Sequence, residues 1–279
     1  MDLTTLTKPL TKPPQITLVG TPGVGKSTLG ALFPNPIVVQ AEDGSSVYDS
    51  WPEEEKPTVF PALPRSDAKN KISTKAALLD QLRALATQEH GYKTLVIDSV
   101  TSLHSLFEHE VSDFYGVDNV ADAAGGFHKG YLVVKEYHQE IKTACDYLRD
   151  KKGMAIVFLA HTSVEKIKNR PDSEEYSVYG LDMHKASSPV YINLVDAVMY
   201  LRQEEFIKGG ATDRKGNVTK LGKIVQTGDR ILVTSGDGRQ GYVAAKSRYA
   251  MDSEVPVPIG ENPLLSLIPF FVNNTGVSK

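Results

Sequence analysis

The chain has 279 residues, 41% hydrophobic and 23% charged, the composition of a soluble globular protein large enough for one sizeable α/β domain. Lys and Arg number 31 against 34 Asp and Glu, so the formal net charge of -3 excludes a broadly basic surface and leaves any nucleic-acid contact to local patches. Cys145 is the only cysteine, which excludes an intramolecular disulfide and fits a reducing cytoplasm; the longest fully apolar run, Met154 to Ala160, is too short to span a bilayer.

Residues 1–14, rich in Thr, Lys and Pro, read as an extended or disordered arm, and residues 15–279 as a single domain. The first strand is Ile16-Thr17-Leu18-Val19, short, apolar and β-branched. Gly20-Thr21-Pro22-Gly23-Val24-Gly25-Lys26-Ser27-Thr28 follows and fits G-x-x-x-x-G-K-S, the phosphate-binding loop, with a helix predicted after it. Its glycines let the backbone turn tightly and bring N–H groups to phosphate oxygens, and the helix start adds a positive dipole end. Lys26 has the position that reaches the β- and γ-phosphates, and Ser27 the hydroxyl that ligates Mg²⁺. The pattern and its strand–loop–helix context point to a nucleoside triphosphate.

Pro36 to Ala41 reads as a second buried strand that ends in Glu42-Asp43-Gly44. Carboxyl ends of parallel strands converge on the ligand, so Glu42 is the candidate to orient and deprotonate an attacking water, with Asp43 the alternative. Residues 49–72 form an irregular connection with one short strand at Thr58-Val59-Phe60, and Ser73 caps a helix running to about Glu89. Lys93 to Asp98 is a strand ending in an acid, the place for the residue that holds a Mg²⁺ shell opposite Ser27. Ser99 follows Asp98, so no glutamate stands there to act as base.

A helix near 102–114, a glycine-containing loop from Gly116 to Gly130 and a helix from Tyr131 to Asp150 come next. Met154 to Ala160 reads as a central strand ending at His161, placed to sense a γ-phosphate by hydrogen bond. Residues 162–188 read as a long polar loop, Asn193 to Leu201 as a strand, and 224–249 as antiparallel strands with a turn at Gly236-Asp237-Gly238. The patch from Pro263 to Phe271 should pack back on the core. The whole reads as α/β, a mostly parallel sheet with helices on both faces and a C-terminal antiparallel extension.

Lys246 and Arg248 stand two apart in Ala244-Ala245-Lys246-Ser247-Arg248-Tyr249. On a strand they share a face, which suits either a clamp on a neighbouring subunit's phosphates or simple protection of an edge strand. No other arginine is legible near the phosphate loop. For single-stranded DNA, cations and aromatics collect in two stretches. One holds Phe127, Lys129 and Tyr131; the other holds Lys166, Lys168, Arg170, Tyr176, Tyr179 and Lys185. Cations track a backbone and aromatic faces stack on bases, although the second stretch also carries five acids.

The order GTPGVGKST, VVQAEDG, TLVIDSV, IVFLAHT, AAKSRY resembles the RecA-like P-loop ATPase core, over roughly residues 15 to 260. The Glu-Asp-Gly and Ala-Lys-Ser-Arg-Tyr elements look closest to the short phage-encoded Sak-type annealing and recombination ATPases. The resemblance implies ATP and Mg²⁺, with Glu42 as catalytic base and Asp98 on the metal. His161 stands where the family usually has Gln or Asn as γ-phosphate sensor, and Lys246 and Arg248 match the pair that reaches the next subunit's nucleotide. It also implies a homo-oligomer, a filament or ring, single-stranded DNA bound at 116–130 and 162–188, a single-strand-binding protein as a further partner, and a host cytoplasm. The expected function is an ATPase, DNA-stimulated, in phage-type recombination or annealing. The alternative is a RecA-like regulator or motor subunit acting on a protein client without DNA.

Overall fold

The structure is a computed structural model and describes residues 10–42, 44–167, 176–212, 218–220, 222–236, 241–242 and 244–275. Its centre is β1 (Gln15–Gly20), whose six residues are all buried. β1 lies between two parallel neighbours, β5 (Ala155–Ile167) and β7 (Ala197–Lys208), with Val19 beside Tyr200 and Gly20 beside His161. Outward from β5 come β4 (Thr94–Asp98), β2 (Pro36–Gln40) and the two-residue β3 (Thr58–Val59), all parallel. Outward from β7 come β10 (Lys223–Val233), antiparallel to β7, and β12 (Glu254–Val257), antiparallel to β10. The small strands β8 (Ala211–Thr212) and β9 (Val218–Lys220) pair with each other.

The parallel strands read as continuous apolar runs because both faces are covered. On one face α2 (Thr74–Thr87), α3 (Val100–Tyr115) and α4 (Gly130–Lys152) pack on Val19, Val39, Ile97 and Phe158. The Ser73 hydroxyl caps α2 by accepting from the Ala76 amide, and Leu78, Leu82 and Leu85 are its buried stripe, each contributing about 1.5–3 kcal/mol. The other face holds α1 (Lys26–Ala31) and the tail helices α5 (Leu264–Leu267) and α6 (Pro269–Thr275). Leu264, Ile268 and Phe271 are buried there, with Phe271 against Phe33 at 5.6 Å, so the tail does pack back on the core. Among the described residues no helix is long and apolar enough to cross a membrane.

Two expectations are corrected. The stretch 162–188 is not one long loop: β5 continues to Ile167 and β6 (Tyr176–Leu181) folds back against it. In this pairing Val164 stands opposite Tyr179 and Lys166 opposite Ser177, contacts that the stretch's charge conceals in the sequence. The antiparallel partner of Lys246 is not a neighbouring hairpin strand but β7, through β11 (Lys246–Ser247); Asp237 and Gly238 of the expected turn lie outside the described residues. Packing begins before Gln15. Arg149 Nε donates to Pro13 O at 2.6 Å, the Ile156 amide to Pro14 O at 2.9 Å, and Lys12 pairs with Asp150 at 3.0 Å.

β5 and β7 both run well past the ends of β1 and β4. The β5–β6 and β7–β10 ribbons therefore project beyond the carboxyl edge of the sheet, on either side of Gly20.

Candidate active site

The turn after β1 is set by glycine at two points. A Cβ on Gly20 would stand 2.6 Å from Leu201 O, so only glycine lets β1 pass β7 this closely. Gly25 has φ +100, left-handed backbone that other residues avoid, and directly precedes α1. Lys26, the first residue of α1, is buried, and its ammonium donates back to Gly20 O at 2.9 Å and Thr21 O at 3.0 Å. Burial pulls its pKa down, opposed by Asp98 and Glu42. The Tyr48 hydroxyl donates to Ser27 O at 3.3 Å and braces the start of the helix.

Ser27 and Asp98 meet directly, the hydroxyl donating to the carboxylate. Burial raises the Asp98 pKa, against the help of Ser27 and Lys26. A buried carboxylate whose charge is disfavoured, joined to a serine hydroxyl, is a donor set that a hard cation completes, so Ser27 and Asp98 fit Mg²⁺ and would hold it. Bound with ATP, the ion would neutralise charge on the phosphate oxygens.

Glu42 follows β2, as expected, and its carboxylate is spoken for. Ser102 Oγ donates to Oε2 at 2.9 Å, and His161 Nε2 faces Oε1 at 3.3 Å. The His161 hydrogen bond is the main reason its pKa falls to about 2, burial opposing and Ser102 adding to it. On its other side His161 Nδ1 lies 3.3 Å from Lys26 Nζ. An ammonium only donates, so Nδ1 accepts and the ring proton sits on Nε2, toward Glu42. The His161 amide donates to Thr101 Oγ1 at 3.1 Å, which fixes the ring's base to α3. Lys26, His161, Glu42 and Ser102 thus form one hydrogen-bonded row along the carboxyl edge of β1, β5 and β2. Sequence reasoning placed each of the first three at this edge; the contacts among them, and the part of Ser102, it did not foresee. Asp43 lies outside the described residues.

A family model described as an AAA domain matches residues 12–249. The chain belongs to the AAA domain family of P-loop ATPases. The comparison with curated proteins gives no match. The AAA assignment agrees with the mostly parallel sheet and gives the loop its ligand class, a nucleoside triphosphate that the domain hydrolyses.

The remaining candidates of this AAA ATPase fall in two places. Lys246 and Arg248 stand at the amino end of β7, away from their own phosphate loop. Lys246 Nζ donates to Asn193 O at 3.3 Å, and Arg248 Nη1 pairs with Asp196 at 3.0 Å while its side chain stays 68% exposed. Loop and pair are separated by at least three residues along β7, roughly 10 Å. One arginine that the spacing does not reveal lies against the phosphate loop. Arg230 of β10 lays its guanidinium on Gly25, carried there by antiparallel pairing from about two hundred residues away.

The DNA candidates gather around the projecting β5–β6 ribbon. Lys166 is exposed on β5 opposite Ser177, and Lys185 is exposed just beyond β6. Lys168 and Arg170 lie outside the described residues. Tyr179 is half-buried, with one face stacked on Tyr242 at 4.9 Å. Lys129 is exposed at the start of α4, beside Phe127, which is 92% exposed. The two stretches touch: Tyr131 stacks on His184 at 3.9 Å, with the ring planes 10° apart.

Proposed function

We propose that this AAA ATPase is a RecA-like protein that uses ATP to control its hold on single-stranded DNA, in phage-type recombination or strand annealing, as the Sak-type ATPases it resembles do. The observation that carries the reading is the position of His161. Its ring lies between Lys26 and Glu42, and its backbone begins the part of β5 that projects as the β5–β6 ribbon. A change at the γ-phosphate end is therefore one residue away from Thr162 and the strand that carries Lys166. The Tyr131–His184 stack joins the start of α4 to the segment after β6, so exposed Phe127, Lys129 and Lys185 lie on stretches it brings together, with Lys166 exposed farther along the ribbon. Exposed aromatics beside cations suit a sequence-tolerant grip on a single strand.

Single-strand affinity is expected to rise with ATP and to fall steeply with salt as counterion release weakens. A Lys166/Lys168/Arg170/Lys185→Ala variant should lose most binding, read by fluorescence anisotropy at low salt, and with it any DNA stimulation of turnover. Wild-type binding in that variant, or no binding by the wild type with ATP, would favour a protein client.

The working unit in this reading is a homo-oligomer in which Lys246 and Arg248 reach the next subunit's phosphates. Arg248 is free to do so: Asp196 keeps Arg149 at 2.7 Å and the Gln15 amide at 2.9 Å, so losing Arg248 leaves no orphaned buried charge. Arg248→Ala protein should bind ATP yet turn it over poorly, and mixing it with Glu42→Gln protein should recover activity, because some interfaces then carry both intact residues. Absence of rescue, with a monomer at every concentration in ATP, sinks the shared site.

A further inference from the structure

We infer that Arg230 is a nucleotide-contacting residue that binds, in cis, the phosphates common to ATP and ADP. The inference rests on the phosphate loop being the nucleotide site and goes beyond it by assigning a recognition residue on the opposite flank. The side chain leaves β10 on the α1 face, where Arg230 pairs with Gln203 of β7 and Val257 of β12. Its stem and head lie along the loop: a Cβ on Gly25 would stand 2.5 Å from Arg230 Nη1, 3.6 Å from Cζ and 3.7 Å from Cδ. Gly25 thus meets two demands, the left-handed turn and room for the guanidinium.

The guanidinium is half-buried, and among the described residues it has no hydrogen-bond or ion-pair partner. Two other cations near the loop already have partners in the nucleotide-free protein. Lys26 donates to two loop carbonyls, and Arg202 is held by Glu254 at 2.6 Å and Gln203 O at 3.1 Å. Even Glu205, an acid on the ribbon above Arg230, is occupied by Gln226 at 3.0 Å. A fork of donors with nothing to donate to, laid against a loop built for phosphate, fits an anion with several acceptor oxygens. A cavity of about 310 Å³ opens between Thr21–Val24 and the ribbon residues Gln203, Glu205 and Gln226; Arg230 and Gly25 do not line it but adjoin it, as the partner of Gln203 and the neighbour of Val24.

The side of approach selects the phosphates. Lys26, His161, Glu42 and Asp98 all act from the β5, β4 and β2 side of β1, where the γ-phosphate must be handled. Arg230 comes from the β7–β10 side and meets the part of the ligand that hydrolysis leaves in place. Its contact is the same before and after the reaction, which is uniform binding.

The test compares Mg²⁺-ADP and Mg²⁺-AMP-PNP binding by calorimetry in wild type, Arg230→Gln and Arg230→Lys, with the melting temperature of each nucleotide-free protein. Arg230→Gln should weaken both ligands by the same factor, about tenfold or more, since a charge-assisted contact is lost. Arg230→Lys, which keeps the charge but not the fork, should recover part of that affinity. A residue that merely packs on Gly25 would lower the nucleotide-free melting temperature and leave affinity in the folded fraction alone. Unchanged affinity for both ligands overturns the assignment, and a loss confined to AMP-PNP overturns it by moving Arg230 to the γ-phosphate. A wild type that binds neither ligand overturns the loop as the nucleotide site, and this inference with it.

Discussion

A Lys26→Ala protein should fold and fail to hold ATP. The ammonium is buried, donates to Gly20 O and Thr21 O, and stands 3.3 Å from His161 Nδ1. Those carbonyls belong to the loop itself, so in the nucleotide-free protein Lys26 closes the loop on its own backbone. Its lowered pKa shows that burial works against the charge. Removing it relieves that cost while exposing two carbonyls, and the two effects largely offset. Folding should therefore survive, with a melting temperature within a few degrees of wild type as an order-of-magnitude expectation for a near-neutral core change.

Binding has no such compensation. ATP brings several negative charges to a loop from which the buried cation is gone. Asp98 and Glu42, whose charges Lys26 partly balances, then add repulsion. Loss of charge-assisted bonds to phosphate should cost affinity about 10²-fold or more, and turnover with it. Calorimetry on the folded variant reads this directly. Wild-type ATP affinity in a folded Lys26→Ala protein would remove the loop from the nucleotide site.

That the sequence speaks so clearly of Lys26 and so little of Arg230 has a physical cause. The loop's function depends on residues adjacent in the chain, with glycines where the backbone must turn, so spacing alone carries it. The same holds for the Ser73 cap and for Glu42, Asp98 and His161, each the terminus of an apolar run and hence at one edge of a parallel sheet. Arg230 reaches Gly25 only through the pairing of β10 with β7, whose register shifts between Gln226 and Arg230. Gly228, left-handed at φ +89 inside that shift, is the local mark of an irregularity, but a glycine does not say which residue the strand then carries to the loop. The β5–β6 ribbon was obscured differently, because its charged residues look like a solvated loop until the pairing Thr162–Leu181 to Ile167–Tyr176 is seen. The Tyr131–His184 stack joins residues 53 positions apart on different elements, which periodicity cannot register. Ser102 reads as an ordinary first-turn residue of α3, and its bond to Glu42 depends on how α3 sits against the end of β2.

Glu42→Gln should leave ATP binding nearly intact and lower hydrolysis by about 10²-fold or more, the range for losing a positioned general base. The amide keeps the shape and can still accept from Ser102 or from His161 Nε2, so the row of side chains survives. What disappears is the ability to take a proton. Glu42 at rest, with a pKa near 2, is ionised and a weak base. Its basicity is held down by the His161 bond first and by Ser102 as well, so it gains proton affinity only when those donors turn elsewhere. A γ-phosphate competing for Lys26 and His161 would loosen that hold, which ties the strength of the base to the presence of ATP. His161→Ala should then raise the Glu42 pKa in the nucleotide-free protein.

The same depressed pKa gives a second readout. The folded value, about 2, lies below the ordinary 4.5, so the ionised form contributes stability that is complete above pH 4.5 and is lost as pH falls toward 2. Wild type should lose melting temperature through that window faster than Glu42→Gln, and the two curves should converge at its acid end. Turnover by Glu42→Gln equal to wild type would move the base to Asp43 or leave the water to attack without one. Parallel acid limbs in the two melting profiles would show that the His161 and Ser102 bonds do not hold the carboxylate in solution.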